Sequence, residues 1–284
     1  MTERRFVDLH THTTASDGSL APAELIALAD RLKLAAIAVT DHDTTVGLAP
    51  ARAAAAECSE LAFIPGVEVS ATFTGGTMHL LGLGVDDRSP KLSQMLDLLA
   101  AGRHARNPAI IAKLNALGLE LTFDEVVAFA EPSGILSRNH IAQAMVHRGH
   151  VKNRTEAFDR YLTSGGPAYV TRSKLDPAET IAAIRDAGGL AALAHPKQLG
   201  CENTAQLERV VRELMAAGLE GIEVYHSDCS PTQTRQYLDL TRKLGLVAIG
   251  GSDFHGRGKP DVELGRPRVP LSLLPDNLIP RLAR

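Results

Sequence analysis

Imidazole and carboxylate side chains recur at the ends of short apolar runs along this chain. Each run has the length and composition of a buried β-strand. The carboxyl ends of parallel strands lie at one edge of a sheet, and functional groups gather there in α/β folds. The pattern therefore predicts a parallel α/β fold that assembles divalent metals for a hydrolase. The five patches are Asp8-Leu9-His10-Thr11-His12, Thr40-Asp41-His42, Gly66-Val67-Glu68, Ala194-His195-Pro196 and Gly251-Ser252-Asp253-Phe254-His255.

The size and composition of the chain suit a single barrel with a large core. Its 284 residues are within the range of one α/β barrel, and 44% of them are hydrophobic. A formal net charge of -3 argues against a non-specific nucleic-acid binder with an extended basic surface. A local basic pocket for one or two phosphates is compatible with this charge.

The cysteines Cys58, Cys201 and Cys229 show no close paired spacing. They indicate neither a disulfide framework nor a thiolate zinc site. The first residues lack the apolar core of a signal peptide, and no apolar run approaches the roughly 18 residues of a membrane span. We therefore expect a cytoplasmic protein without a membrane partner, and the sequence indicates no stable protein partner.

Strand and helix patterns alternate on both sides of a long helical stretch. Repeated β–α units with short connections predict a parallel sheet that closes as a barrel or winds doubly. We assign residues 1–99 and 171–284 to this unit and residues 100–170 to a helical insertion. The predicted strands cover 6–9, 35–39, 62–69, 78–83, 190–194, 221–225 and 247–250, and the predicted helices 22–34, 47–57, 180–187, 207–217 and 231–244.

Two further ligand candidates are expected at the same edge of the sheet. Gly75-Gly76 predicts a hairpin turn, so the strand that His79 begins runs antiparallel. Its start then lies near the end of the strand that carries Glu68. Asp17 belongs to the loop that follows the first strand and is therefore at the same end.

Each ligand patch taken alone has an ordinary structural explanation. A single His-x-His is a weak metal signal, and a Thr-Asp-His-Asp loop is also typical of helix-capping carboxylates. Six of the eleven histidines nevertheless fall at strand ends under one interpretation. Residues two apart on an extended segment point the same way, so His10 pairs with His12 and Asp253 pairs with His255. The joint placement favours a metal centre over scattered, packed histidines.

The ligand types narrow the choice of metal. Mixed imidazole and carboxylate ligands without cysteine suit zinc, manganese or iron(II). A bridging carboxylate such as Glu68 would hold two ions at the roughly 3.5–4 Å spacing used for phosphate-ester cleavage.

These motifs, in this order, resemble the PHP (polymerase and histidinol phosphatase) superfamily. The resemblance covers the barrel portion and extends into the insertion through Leu136-Ser137-Arg138-Asn139-His140 and Tyr161-Leu162. This extension narrows it to the branch of nucleoside 3′,5′-bisphosphate phosphatases and a related 5′→3′ exoribonuclease. The barrel motifs that carry it are the first and last patches above, Ser16-Asp17-Gly18, Ala38-Val39-Thr40-Asp41-His42-Asp43, Pro65-Gly66-Val67-Glu68-Val69-Ser70, His79-Leu80-Leu81-Gly82-Leu83-Gly84 and Ala194-His195-Pro196.

The resemblance implies a distorted seven-stranded (β/α) barrel with a centre of three divalent metal ions. Manganese is favoured, with iron or zinc as alternatives. Asp17, His42, Glu68 and His255 are implied to take part in catalysis. The implied ligands are His10, His12, Glu68 and Asp253 for one ion, Glu68, His79 and His195 for the second, and Asp17, His42 and His255 for the third.

The insertion is implied to form a lid that carries phosphate-binding cations. Arg138 and His140 are the first candidates, because arginine offers phosphate a bidentate fork. Arg103 and Arg106 are three apart on a helical pattern and share a face, which a solvated helix surface explains equally well.

One position departs from the family pattern. Relatives commonly carry Gly-Lys-Pro after Tyr161-Leu162, whereas this chain has Gly165-Gly166-Pro167. If that lysine binds a substrate phosphate, Arg172 or Lys174 would have to replace it here. The departure concerns the substrate rather than the metal chemistry.

The sequence predicts a metal-dependent phosphoesterase that converts a nucleoside 3′,5′-bisphosphate to the nucleoside 5′-monophosphate through attack of a metal-bound hydroxide. Three alternatives stay open: a 5′→3′ exoribonuclease on short 5′-phosphorylated RNA, a histidinol-phosphate phosphatase, and a non-enzymatic regulatory module that retains metals. An open groove with arginine and aromatic platforms would favour RNA. The 4% aromatic content and the absence of Trp favour a compact pocket for a small nucleotide.

Overall fold

The computed structural model describes residues 5–130, 136–171, 175–275 and 278. Strand and helix alternate along the described chain as the sequence predicts. The strands are β1 (Phe6–Asp8), β2 (Ala36–Val39), β3 (Ala62–Ala71), β4 (Met78–Leu83), β5 (Leu190–Leu193), β6 (Gly221–Tyr225), β7 (Val247–Gly250) and β8 (Val269–Pro270). The helices are α1 (Pro22–Arg31), α2 (Leu48–Ala56), α3 (Pro90–Ala116), α4 (Phe123–Val127), α5 (Arg138–His147), α6 (Arg154–Ala157), α7 (Pro177–Asp186), α8 (Thr204–Ala216) and α9 (Pro231–Leu244).

The strands form one sheet in the order β7-β6-β5-β4-β3-β2-β1-β8. All seven predicted strands are present. The two-residue strand β8, antiparallel to β1, is an addition too short to show a period in the sequence. The hairpin prediction is confirmed, because β4 runs antiparallel to β3 and pairs His79 with Ser70.

Backbone hydrogen bonds beyond the two ends of the strand order bring the sheet close to a closed barrel. The Leu9 N–H donates to the Gly250 carbonyl at 3.2 Å, and the Asp253 N–H donates to the His10 carbonyl at 2.9 Å. A Cβ on Gly251 would lie 2.4 Å from the backbone nitrogen of His10, so only glycine permits this close approach. The predicted distorted barrel is therefore confirmed.

Alternate residues of the strands face two different cores. On β2, Ala36 and Ala38 belong to the apolar cluster inside the barrel, whereas Ile37 and Val39 pack against the surrounding helices. On β4, Leu81 belongs to the interior cluster. Because of this period of two, every second side chain of a strand points into the barrel. The predicted metal ligands lie on the same interior face, at the carboxyl ends of the parallel strands.

Helix α3 connects the barrel to a separate small core. Its first half places Leu92 and Leu99 in the core outside the barrel, and its second half places Ile110 and Leu114 in a cluster formed by the following helices. The predicted boundary at residue 100 lies within this continuous helix, and the division into two domains stays a prediction. No helix of the described chain has the length and apolar character needed to cross a membrane.

Replacement of Leu81 by alanine tests the barrel interior. Leu81→Ala should lower the free energy of unfolding by about 2–5 kcal/mol, because it leaves a cavity at a fully buried position. Urea denaturation of the metal-stripped protein, followed by circular dichroism, measures this change. The matched control is Leu98→Ala, since Leu98 is 60% exposed. Equal destabilisation by both variants would contradict the interior assignment.

Candidate metal centre

The period of the strands delivers two ligands directly into the barrel. Glu68 lies on β3 at an even position, like the interior residues Ala62 and Ile64, and His79 lies on β4 two residues before the interior Leu81. Both side chains therefore point toward the barrel axis, at the end of the barrel where the parallel strands have their carboxyl ends.

Two other ligands depend on unusual backbone conformations. His195 has φ +26° and Asp253 has φ +57°, both in the region that non-glycine residues seldom occupy. Leu190 and Ala192 on β5, and Ala194 directly after it, face the barrel interior, so regular strand geometry would turn His195 away from the barrel axis. The positive φ redirects its ring into the cluster, and such strain is typical of functional sites.

All nine predicted metal ligands converge around Glu68. One oxygen of Glu68, Oε2, lies 2.7 Å from His42 Nδ1, 3.3 Å from His12 Nε2 and 3.4 Å from His10 Nε2. Its other oxygen, Oε1, lies 2.8 Å from both His79 Nδ1 and His195 Nε2.

The remaining three ligands complete the rim of the cluster. Asp253 Oδ1 lies 3.2 Å from His12 Nε2 and 3.6 Å from His10 Nε2. Asp17 Oδ1 lies 3.2 Å from His255 Nε2 and 3.8 Å from His42 Nε2.

These residues fit divalent metal ions. Ligand atoms about 2.1 Å from one ion in tetrahedral geometry are about 3.4 Å apart, which is the range of spacings seen here. Four groups of three or four ligand atoms, each within 4.8 Å of one another, draw only on the nine predicted residues. Several buried atoms of the cluster also lack a hydrogen-bond partner, as expected of atoms directed at an ion: His10 Nε2, His12 Nδ1 and Nε2, Asp17 Oδ1, His42 Nδ1, Glu68 Oε2 and His195 Nδ1.

The electrostatics of the cluster demand positive charge. Burial opposes ionisation of Glu68, but the imidazoles of His42, His79 and His10 outweigh it and hold the pKa of this carboxylate well below its usual value. Burial likewise opposes a charge on His10, yet Glu223, Glu68 and Asp253 raise the pKa of its ring well above normal. Either protons or metal ions must therefore accompany the buried carboxylates.

Sequence reasoning missed two residues near the cluster, Glu223 on β6 and His226 directly after it. Glu223 is fully buried and accepts hydrogen bonds from His10 Nδ1 at 2.9 Å and from the His195 N–H at 2.6 Å. His226 directly follows β6. Its Nδ1 donates to Asp228 Oδ1 at 2.6 Å, and its Nε2 lies 3.4 Å from Asp253 Oδ2. A carboxylate inside an apolar strand and a histidine at a strand end were the available signals.

In two predicted histidine ligands, a hydrogen bond from the ring nitrogen that faces away from the cluster orients the ring. Because the Glu223 carboxylate only accepts, His10 Nδ1 donates to it, and the ring presents Nε2 to the cluster. His255 Nδ1 donates to the Asp253 carbonyl at 2.8 Å, which turns its Nε2 toward Asp17 Oδ1 at 3.2 Å. Lys259 forms an ion pair with Asp253 Oδ2, the oxygen that faces away from His12.

Carboxylates of the sequence motifs that are not predicted ligands hold the ligand loops. Asp41 accepts hydrogen bonds from the Thr13 N–H at 2.8 Å and from the Ser16 hydroxyl at 2.6 Å. Asp8 accepts from the Ser252 N–H at 2.9 Å and from the Gly265 N–H at 2.8 Å. Both are buried, so these loops are fixed by several hydrogen bonds each.

A cavity of about 280 Å³, here called the reaction cavity, lies over the cluster. Ligand residues form one wall, and Arg103, Arg106 and Arg138 form part of the other. Arg138 donates to the Leu162 carbonyl at 2.8 Å, and its guanidinium lies 5.7 Å from the Phe158 ring centre.

The other predicted phosphate-binding residues have protein partners. Arg103 forms a buried ion pair with Asp43, and its Nε donates to the same carboxylate at 3.1 Å. Arg106 donates to Asn107 Oδ1 at 2.8 Å. His140 Nδ1 accepts from the Ser137 N–H at 3.0 Å, and His140 lines a neighbouring cavity rather than the reaction cavity.

The turn at Gly166 leaves no room for a side chain. A Cβ there would lie 2.7 Å from the Tyr161 carbonyl oxygen, so a lysine would require the backbone to shift. The cations proposed as replacements, Arg172 and Lys174, lie outside the described residues.

Comparisons with known proteins identify the family of this chain. A family model described as PHP domain matches residues 8–161, which contain six of the nine predicted ligands. The chain belongs to the PHP family. It is 37% identical to a 3′,5′-nucleoside bisphosphate phosphatase from Chromobacterium violaceum, over 91% of this chain and 90% of that protein. It is 33% identical to the 5′-3′ exoribonuclease Rnm of Escherichia coli, over 91% of this chain and 88% of the relative.

A solved structure shares the whole architecture of this PHP protein. An amidohydrolase from Chromobacterium violaceum, with bound sulfate and no metal, superposes with a TM-score of 0.86 at 36% identity. The similarity covers 98% of each chain. The barrel and the helical stretch after it therefore occur together in both proteins.

Removal of Glu223 tests its support of the ligands. Glu223→Ala should weaken metal binding by about 10-fold to 100-fold, because it frees the His10 ring and the His195 backbone. Titration of metal-stripped protein with manganese, followed by electron paramagnetic resonance, measures the affinity. Glu220→Ala, at an exposed carboxylate just before β6, is the control. An unchanged affinity in Glu223→Ala would remove Glu223 from the centre.

Proposed function

We propose that this protein is a metal-dependent phosphoesterase that hydrolyses the 3′-phosphate of a nucleoside 3′,5′-bisphosphate and leaves the nucleoside 5′-monophosphate. The observation that carries the proposal is the pairing of a buried imidazole and carboxylate cluster with an arginine-lined wall across one small cavity. The names of the two relatives agree, since one is a nucleoside bisphosphate phosphatase and the other an exoribonuclease.

Arg138 is the best-prepared phosphate ligand of this wall. Its guanidinium is held between the rings of Phe158 and Tyr169, at 5.7 Å and 5.6 Å from their centres, and by the Leu162 carbonyl. These contacts fix its planar fork before substrate arrives, and the hydrogen bond to the Leu162 carbonyl, the one it makes among the described residues, leaves most of its five N–H donors for an anion. The sulfate bound by the related amidohydrolase shows that a phosphate-shaped anion binds that protein.

Arg103 supports the wall in a different way. Its charge is paired with Asp43, whose carboxylate also accepts from the Ser70 N–H at 2.7 Å. Ser70 follows Glu68 on β3, so this ion pair ties helix α3 to the strand that carries the central ligand. We therefore assign Arg103 a positioning role and Arg138 the contact with phosphate.

We propose three divalent ions, with manganese as the first metal to test. When bound to the nine ligands, such ions would polarise phosphoryl oxygens and lower the pKa of a bound water. In the reaction, the oxygen of water bonds to phosphorus, the bond from phosphorus to the 3′ oxygen breaks, and that oxygen takes a proton. We assign the catalytic role to four residues that contact one another around the proposed ions. His42 contacts both Asp17 and Glu68, and Asp17 also contacts His255.

The same bond is broken when a 5′-phosphorylated RNA end releases its first nucleotide. The exoribonuclease alternative therefore needs no change in the metal centre, only room for the rest of the chain. In the phosphatase reaction the scissile phosphate is a terminal group, whereas in the exoribonuclease reaction it is also bonded to the next nucleotide.

A substrate panel tests the proposed function. Manganese-loaded protein should release phosphate rapidly from adenosine 3′,5′-bisphosphate and slowly or not at all from histidinol phosphate, because Arg138 and the small cavity suit a second phosphate. Phosphate release is followed by a colorimetric assay, with chelator-treated enzyme as the control. Faster turnover of histidinol phosphate would overturn the nucleotide assignment, and the absence of hydrolysis of either would overturn the phosphoesterase assignment.

Replacement of Arg138 tests the phosphate contact. Arg138→Ala should raise KM for the bisphosphate by about 10-fold to 100-fold, the range expected for loss of a charge-assisted hydrogen bond. It should also weaken inhibition by inorganic phosphate. Arg160→Ala is the matched control, since Arg160 also lies on an aromatic ring of the same helices but does not line the reaction cavity. Unchanged kinetics in Arg138→Ala would remove Arg138 from the site.

A further inference from the structure

The first turn of α5 contributes two neighbouring side chains to the reaction cavity, Arg138 and Asn139. They leave the helix in different directions. Arg138 donates to the Leu162 carbonyl, which belongs to the helices outside the barrel. Asn139 reaches the barrel, where its Nδ2 donates to Asp17 Oδ2 at 2.5 Å. The helix that carries the proposed phosphate contact therefore also contacts a predicted metal ligand.

A capping box fixes the backbone of this turn. The Ser137 hydroxyl accepts from the Asn139 N–H at 3.1 Å, and His140 Nδ1 accepts from the Ser137 N–H at 3.0 Å. Ser137 and His140 are both buried, whereas Asn139 is partly exposed and lines the reaction cavity. The fixed backbone directs the Asn139 amide at the barrel.

The two oxygens of Asp17 have different surroundings. Oδ1 faces His255 Nε2 at 3.2 Å and His42 Nε2 at 3.8 Å, and it has no hydrogen-bond partner among the described residues. Oδ2 accepts the hydrogen bond from Asn139. Because this bond occupies Oδ2, it leaves Oδ1 as the oxygen that is available to an ion.

Asp17 differs in this respect from the other two predicted carboxylate ligands. The oxygens of Glu68 lie against imidazoles of the barrel, and Asp253 Oδ2 pairs with Lys259 in the loop after β7. Residues of the barrel therefore hold both of these carboxylates. Asp17 Oδ2 instead receives a hydrogen bond from α5, which lies outside the barrel. The ion that Asp17 is predicted to bind thus depends on a helix on which the other two do not.

We infer that Asn139 is a positioning residue for the ion proposed to bind Asp17, His42 and His255. By donating to Oδ2, Asn139 holds the Asp17 carboxylate so that Oδ1 meets the two imidazoles. This ion then binds tightly only while α5 lies against the barrel. The inference rests on the three ions of the proposed function and deepens it, since it joins one of them to the helix that carries Arg138.

Manganese titration of metal-stripped protein tests this role. Asn139→Leu removes the donor without a change in charge, so a lower affinity reports the orientation of Asp17. The electron paramagnetic resonance signal of free manganese gives the number of bound ions and their affinities. One site should bind about 10-fold to 100-fold more weakly in Asn139→Leu, the range expected for loss of a group that orients a metal ligand, and the other two should keep their wild-type affinities. Asn139→Ala, which adds no apolar bulk, should show the same loss.

A double-mutant cycle identifies the site that responds. Asp17→Ala should weaken the same site, and Asn139→Leu added to Asp17→Ala should cause no further loss, because Asn139 then has no carboxylate to hold. The matched control is Gln143→Leu, since Gln143 lies one turn later on α5 and lines the neighbouring cavity rather than the reaction cavity. It should leave all affinities at the wild-type values. Equal affinities in the wild type and in Asn139→Leu, or additive losses in the double variant, would overturn the inference.

Hydrolysis separates positioning from contact with substrate. The manganese concentration that gives half-maximal hydrolysis of adenosine 3′,5′-bisphosphate should rise about 10-fold to 100-fold in Asn139→Leu, whereas KM measured at saturating manganese should keep its wild-type value. A raised KM at saturating manganese would make Asn139 a substrate ligand and overturn the positioning role.

The wild-type protein separates this inference from the proposed function. Three bound ions, with the loss of affinity at one site in Asn139→Leu but no hydrolysis by the wild type, would overturn the proposed function and leave the role of Asn139 standing. Hydrolysis of the bisphosphate by a wild type that binds only two ions would overturn the role of Asn139 and leave the phosphoesterase assignment standing.

Discussion

Glu68 is fully buried, and its two carboxylate oxygens lie between 2.7 and 3.4 Å from ring nitrogens of five histidines. An ionised carboxylate in such a place is tolerated only when positive charge or strong hydrogen bonds compensate its lost hydration. The barrel meets this requirement by directing imidazoles at Glu68 from β4 and from the ends of β1, β2 and β5. The cluster is therefore suited to binding cations, and the chemistry proposed for it depends on those cations.

Holding this cluster together costs conformational free energy. The positive φ angles of Asp43, His195 and Asp253 are each worth about 1–3 kcal/mol of strain. The hydrogen bonds of Asp8 and Asp41, together with those of Asp43 and Glu223, offset this strain by fixing the loops on which the ligands lie. The buried apolar interior of the barrel provides the base against which these loops are held.

The helices after α3 are coupled to the metal centre through specific contacts. Asn139, at the start of α5, donates to Asp17 Oδ2 at 2.5 Å, while Asp17 Oδ1 faces His255. Arg103 on α3 pairs with Asp43 beside His42. Because both contacts end on ligands or on their immediate neighbours, any movement of these helices changes the geometry of the centre. These contacts thereby fix the position of Arg138, proposed to bind the substrate phosphate, relative to the metal ions proposed to act on it.

The sequence by itself determined the barrel and which nine side chains gather around Glu68 at one end of it. Residues such as His10 and His12 could be recognised because strand ends are local features and the period of two sets which side chains share a face. The tertiary structure alone decided that Glu223 joins His10 to His195 and that Arg103 is paired with Asp43. These features join residues far apart in the chain, and no local period encodes which distant groups a barrel brings within hydrogen-bond distance.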